Sequence, residues 1–161
     1  MNIDGMLATL LEWRVQFLLL GGVNFMLRHQ PVLTYDLDVW VRPTAANLRR
    51  CEKALAALQA EWGRTESDWR PVAGRRPGWL GGQAVYCMIC AGGALDVFLQ
   101  VRGLGAWPSS RAVSVEVKTA AGIVCRGLSD RDMLRCQEAL PDNERKADRI
   151  RTLRQALGEP P

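Results

Sequence analysis

LTYDLDVWV, residues 33–41, decides how this chain is read. Successive strand residues point to opposite faces, so residues two apart share one. Leu37, Val39 and Val41 form an aliphatic face, while Asp36, Asp38 and Trp40 share the other. The spacing predicts a strand with one side in a core and two carboxylates on the opposite side. An isolated D-x-D pair more often marks a solvated strand end, so its surroundings must carry the interpretation.

Upstream, VQFLLLGG (15–22) is a short apolar run closed by Gly21 and Gly22, and VNFMLRHQ (23–30) has helical character and is stopped by Pro31. Glycines where a strand turns into a helix let a backbone approach a phosphate, and the helix N-terminus supplies amide donors. Downstream, ALDVFLQV (94–101) repeats the alternation: Leu95, Val97, Leu99 and Val101 against Asp96, Phe98 and Gln100. If these two strands are neighbours, Asp36, Asp38 and Asp96 meet on one side of a sheet. Three carboxylates in close contact raise one another's pKa, a penalty that a divalent cation removes. Oxygen-only donors suit magnesium, which characteristically joins carboxylates to substrate phosphates.

The remaining chain frames these strands. Residues 4–14 read as an amphipathic helix, and AANLRRCEKALAALQAEWG as a long helix ended by Gly63. Residues 63–82, rich in Gly, Pro, Arg and Trp, read as a long irregular excursion whose arginines and tryptophans suit base stacking or packing on the domain's own surface. AVYCMIC precedes the Asp96 strand, GLGAWPSS reads as a loop, and RAVSVEVKTAAGIVCRG as a hairpin turning near Ala120–Gly122. Lys118, on that hairpin, is a candidate for reaching the ligand cleft. Ser129 is placed to cap the helix LSDRDMLRCQEAL, and a basic helix closes the chain, with Ile150, Leu153 and Leu157 turned inward. This order predicts an α/β (α+β) domain, a mixed β-sheet flanked by helices, as a single unit over 1–161.

Composition excludes several classes. The chain has 161 residues, 48% hydrophobic and 24% charged, with a net charge of +4 and no dense basic run. No apolar run is long enough to cross a bilayer, and MNIDGMLATLLEW lacks the basic start of a signal peptide, so a cytoplasmic protein is expected. Five cysteines suit free thiols better than a disulfide framework. Cys87 and Cys90 form a C-x-x-C inside a strand-like run, which favours buried apolar cysteines over a metal or redox pair. His29, the lone histidine, is as well placed to be structural as to meet a phosphate.

In LLLGGVNFMLRHQPVLTYDLDVWV (18–41), ALDVFLQV (94–101) and LSDRDMLRCQEALPDNERKADRIRTL (128–153) the chain resembles the nucleotidyltransferase-fold (polymerase-beta-like) superfamily. It is closest in style to the small bacterial group related to abortive-infection (toxin–antitoxin) nucleotidyltransferases. The resemblance implies a minimal nucleotidyltransferase fold using Mg2+ (or Mn2+), with Asp36, Asp38 and Asp96 as metal ligands and catalytic carboxylates. It places Gly21 and Gly22 against the triphosphate, makes Thr34 part of the T-x-D-x-D pattern, and aligns Arg145, Lys146 and Asp148 with the family's closing helix. Gly22 stands where many active members carry serine, and Val32 where arginine is frequent. The expected activity is transfer of a nucleotidyl group from an NTP to a hydroxyl on tRNA, protein or a small molecule, with a homodimer or partner protein completing the site. The alternatives are a non-catalytic nucleotide-binding or antitoxin-like module of the same fold, and a partner-binding domain with unrelated aspartates.

Overall fold

A computed structural model describes residues 1–160. Eight strands form one mixed sheet: β1 (Phe17–Leu20), β2 (Asp36–Val41), β3 (Glu61–Trp62), β4 (Arg70–Pro71), β5 (Val85–Cys90), β6 (Gly93–Phe98), β7 (Val115–Lys118) and β8 (Val124–Gly127), in the order β4-β3-β5-β6-β2-β1-β8-β7. The pairs β2–β6 and β1–β8 are parallel and the others antiparallel. Six helices, α1 (Ile3–Glu12), α2 (Gly21–Arg28), α3 (Ala45–Ala57), α4 (Trp107–Ala112), α5 (Asp130–Glu138) and α6 (Ala147–Ala156), flank the sheet.

Strand alternation divides the interior in two. Leu37, Val39, Val41, Leu95 and Val97 pack with Met6, Leu7 and Leu10 of α1 and with Cys51, Ala54 and Leu55 of α3. On the other face Leu18, Leu20 and Trp40 pack with Phe25, Trp107, Met133, Leu134 and Leu153, which come from α2, α4, α5 and α6. Trp40 is fixed from both sides: its Nε1 donates to the Leu99 carbonyl at 3.2 Å, and its own carbonyl accepts from Trp107 Nε1 at 3.0 Å. At the end of β2 remote from the aspartates, the buried Asn47 side chain bridges Gln16 and Arg42, tying the start of α3 to β1 and β2.

Several boundaries differ from the sequence reading, each for a physical reason. The strand begins at Asp36 and not Leu33, because β1 ends at Leu20 opposite Asp38 and β6 first pairs at Ala94 opposite Asp36. Leu33 and Tyr35, with no neighbouring strand, are about three-quarters exposed. The long helix stops well before Gly63: Gln59 takes φ +55°, and the Ala60 N–H donates back to the Leu55 carbonyl at 2.9 Å. That is a Schellman stop without glycine, and α1 ends the same way at Arg14. GLGAWPSS is not wholly a loop, since α4 starts at Trp107, anchored in the core and followed by Pro108 in the first turn, where proline is tolerated.

The 63–82 excursion is ordered. Buried Glu52 accepts from the Gly78 N–H at 2.8 Å and the Leu80 N–H at 3.1 Å, holding the segment on α3. Trp79 stacks on Trp62 at 5.7 Å, and the Arg75 guanidinium lies 4.6 Å from Trp62 and 5.6 Å from Trp79. These groups pack on the protein's own surface, which leaves them poorly available to a nucleic acid.

Candidate functional site

β2 and β6 run side by side with Asp38 directly opposite Asp96 and Asp36 opposite Ala94. One oxygen from each of Asp36, Asp38 and Asp96 lies within 4.8 Å of the others, and all three residues are partly buried. The register makes this inevitable, because a parallel pair aligned at Asp38 and Asp96 must put both carboxylates on the same face. The donors are all hard oxygens, which suits a magnesium- or manganese-sized cation.

The electrostatics bear the mark of that convergence. Burial first, then the nearby Asp36 and Asp96 carboxylates, push the Asp38 carboxyl up to about 7 against the Gly22 amide and Arg149, which favour its ionised form. Asp96 is raised chiefly by burial, a shift opposed by the Cys87 thiol and reinforced by Asp36. The cluster therefore pays for like charges held together, a cost that a bound cation would offset.

The glycine turn touches the cluster directly. Gly21 takes φ +66°, and a Cβ there would overlap the Asp38 carboxylate. A Cβ on Gly22 would lie 2.5 Å from Thr34 Oγ1 and 3.2 Å from Arg149 Nη2. Thr34 Oγ1 donates to the Asp36 backbone and carboxylate oxygens at 3.3 Å. Gly21, Gly22 and Thr34 are thus gathered around Asp36 and Asp38.

Lys118 is not brought to this site. It is exposed at the end of edge strand β7, paired with Val124, whereas the opposite end of that hairpin (Val115 with Gly127) lies towards the aspartates. A lysine within the hairpin faces either way along the sheet only according to strand direction, which the sequence does not reveal.

Two residues at the site went unrecognised in the sequence. Arg149 of α6 lies half-buried between the glycine turn and the acids, with its guanidinium 5.6 Å above the Phe25 ring. Burial lowers its pKa, and Asp38 and Asp36 pull it back up. A signal was present: Arg149 stands four residues, one helical turn, before the inward Leu153. Cys87 is opposite Asp96 on β5 and exposed, contrary to the expectation of burial. Cys90, three residues on, is buried on the other face, so C-x-x-C in a strand separates the two sulfurs. Burial, followed by the Asp96 carboxylate, raises the Cys87 thiol to about 11.

His29 serves the fold. Its Nε2 and Arg28 Nη2 both lie 2.8 Å from Asp130 Oδ1, latching α2 to the start of α5, whose N-cap is Ser129 as expected. A cavity of about 220 Å³ opens beside the acids, with Asp38, Gly21 and Arg149 at one side and Phe25, Phe98 and Met133 among its apolar walls.

The sheet order and helix placement are those of the nucleotidyltransferase fold. Among solved structures, the antibiotic-resistance factor ANT(2'')-Ia, determined in solution, superposes with a TM-score of 0.58 over 98% of this chain and 83% of its own, at 12% identity. A candidate nucleotidyltransferase of Thermotoga maritima aligns over 80% of this chain and 64% of its own at 11% identity, with a TM-score of 0.37 that adds no weight. No protein-family model matches the chain, and no curated protein matches it in sequence.

Proposed function

We propose that this protein transfers a nucleotidyl group from a nucleoside triphosphate to a hydroxyl acceptor. The observation that carries the reading is the convergence of Asp36, Asp38 and Asp96 from two parallel strands beside a glycine turn that no side chain can replace. Magnesium or manganese at these oxygens would polarise the α-phosphate and neutralise the triphosphate.

The chain's own groups divide the remaining work. Asp36 and Asp38 would hold the cation. Asp96, with its raised carboxyl, takes the proton from the attacking hydroxyl. The new bond joins the acceptor oxygen to the α-phosphorus as the bond to the β-phosphate oxygen breaks, and pyrophosphate leaves. Gly21 and Gly22 admit the phosphates against bare backbone, and Arg149 faces the negative charge that grows on the leaving group. Thr34 holds Asp36 in place through its hydroxyl.

The test is label transfer from each α-labelled NTP, with magnesium or manganese, to pooled tRNA, cell protein and small-molecule acceptors. Transfer by the wild type and none by Asp36→Ala/Asp38→Ala supports the enzyme and identifies its acceptor class. Metal-dependent NTP binding without transfer, lost in the double variant, supports the non-catalytic nucleotide-binding alternative, to which Gly22 in the place of serine also points. Neither signal leaves the activity without support.

A further inference from the structure

A second concavity, of about 550 Å³, opens at the opposite end of the sheet from the aspartates. Its walls include Phe17, Arg42, Trp107, Arg111, Glu116 and Arg126. Phe17 pairs with Val41, whereas Leu20 pairs with Asp38, so three strand residues, roughly 10 Å, separate the groove from the acidic cluster. β1 and β8 pair at Leu19 and Gly127, and the groove lies beyond that contact.

Three arginines, Arg42, Arg111 and Arg126, line the groove. Arg111 Nη1 and Arg126 Nε both donate to the Ser114 hydroxyl, at 3.3 and 3.1 Å, and Arg126 also donates to the Ser114 carbonyl. Two guanidinia thus converge on one buried neutral serine. Arg42 lies 5.8 Å from the Trp107 ring and is held by Gln16 at 2.9 Å. Arg50 donates to the Arg14 carbonyl. Among the described residues none of Arg14, Arg42, Arg50, Arg111 and Arg126 has a carboxylate within 4.0 Å; the same is true of Arg64, Arg75, Arg76, Arg102 and Arg149, which lie outside the groove, while the other eight arginines are paired. Glu116 is the single acid lining the groove, and even it makes no ion pair with Arg126, its cross-strand neighbour.

Arg42, Arg111 and Arg126 against the single carboxylate of Glu116 give the groove a positive face, which Arg14, in the turn between lining residues Leu11 and Val15, and its partner Arg50 extend. They are spread along the groove and its rim, so one phosphate would leave most of them unmatched. Trp13, 38% exposed, stands in the turn between groove residues Leu11 and Val15 and offers a stacking surface beside Arg14. Repeated guanidinia with an exposed indole match the repeated phosphates and bases of a single strand. We propose that this groove binds the phosphodiester backbone of single-stranded nucleic acid, at a site separate from the carboxylates.

The probe is a fluorescent single-stranded RNA of about twelve nucleotides, followed by anisotropy as salt is varied. With three groove arginines on phosphates, log affinity should fall against log salt with a slope of about −2. Arg42→Gln/Arg111→Gln should weaken binding at least tenfold and flatten that slope. Because those side chains also brace the fold, Arg14→Gln/Arg50→Gln, whose only side-chain hydrogen bonds are exposed, provides an independent pair, expected to weaken binding severalfold with the cooperative melt retained. Asp36→Asn/Asp38→Asn should bind RNA as the wild type does, so failure of nucleotidyl transfer and failure of this groove are distinguishable. The proposal is overturned if RNA does not bind at low salt, if both arginine pairs bind normally, or if polyglutamate or a mononucleotide competes as well as RNA.

Discussion

Gly21 and Asp38 occupy each other's space: the glycine sits at φ +66° where any Cβ would overlap the Asp38 carboxylate. The turn that ends β1 and the strand that carries the acids are therefore one device. Gly21→Ala should destabilise the protein by about 1–3 kcal/mol from backbone strain alone. It should also displace Asp38. The expected outcome is a lowered melting temperature together with loss of the stabilisation given by magnesium or manganese. A variant that melts lower yet keeps its full metal response would show that Asp38 does not depend on the turn.

Asp38 makes pH and metal compete. Its carboxyl is raised from 3.8 to about 7, so the folded protein holds this proton more tightly than the unfolded chain. The stability it contributes is present below the unfolded pKa and is lost as pH rises through about 7. Metal-free protein should accordingly lose stability across that window, while added magnesium or manganese stabilises it more at pH 8 than at pH 6. Asp38→Asn should remove both trends. Thermal melts over this range, with and without metal, are the measurement.

Arg149 links the last helix to the acids. Its loss removes a charged contact worth about 1.5–3 kcal/mol if it meets the triphosphate. Arg149→Gln should weaken NTP binding by roughly ten- to a hundredfold, and Arg149→Lys by less. Titration calorimetry with a non-hydrolysable NTP would measure both, and equal affinities across wild type and variants would remove Arg149 from the site.

Lys118 is the control. It lies on edge strand β7 at the end of the hairpin away from the acids. Lys118→Ala should leave NTP affinity and transfer unchanged, within the spread of replicate titrations.

Arg75 tests the ordering of the 63–82 segment. Arg75→Ala removes the cation stacked on Trp62 and Trp79 and the hydrogen bond to the Trp62 carbonyl at 2.6 Å. A loss of about 1–3 kcal/mol in urea unfolding is expected, with metal response intact.

Much of this arrangement was legible in residue order because it follows short-range rules. Alternation along 36–41 and 94–98 separates aliphatic from acidic faces whatever the neighbours are. Ser129 caps its helix through a hydroxyl three residues from its partner amide, and Gly21 announces a turn. Boundaries were less legible where they depended on partners: 33–35 left the strand because no neighbouring strand reaches it, and α3 stopped at a glutamine that accepted a left-handed conformation.

Residue order thus settled which side chains share a face, since that depends on the local backbone period alone. It did not settle which strands become neighbours, and pairing across a sheet is what set Asp38 on one side of Asp96 and Cys87 on the other. Nor did it show that α6 would lay Arg149 against the glycine turn, or that Arg42, Arg111 and Arg126 would line one groove with Glu116 as its single acid. Those contacts join residues far apart in the chain, and their geometry is set by how two cores pack against opposite faces of one sheet.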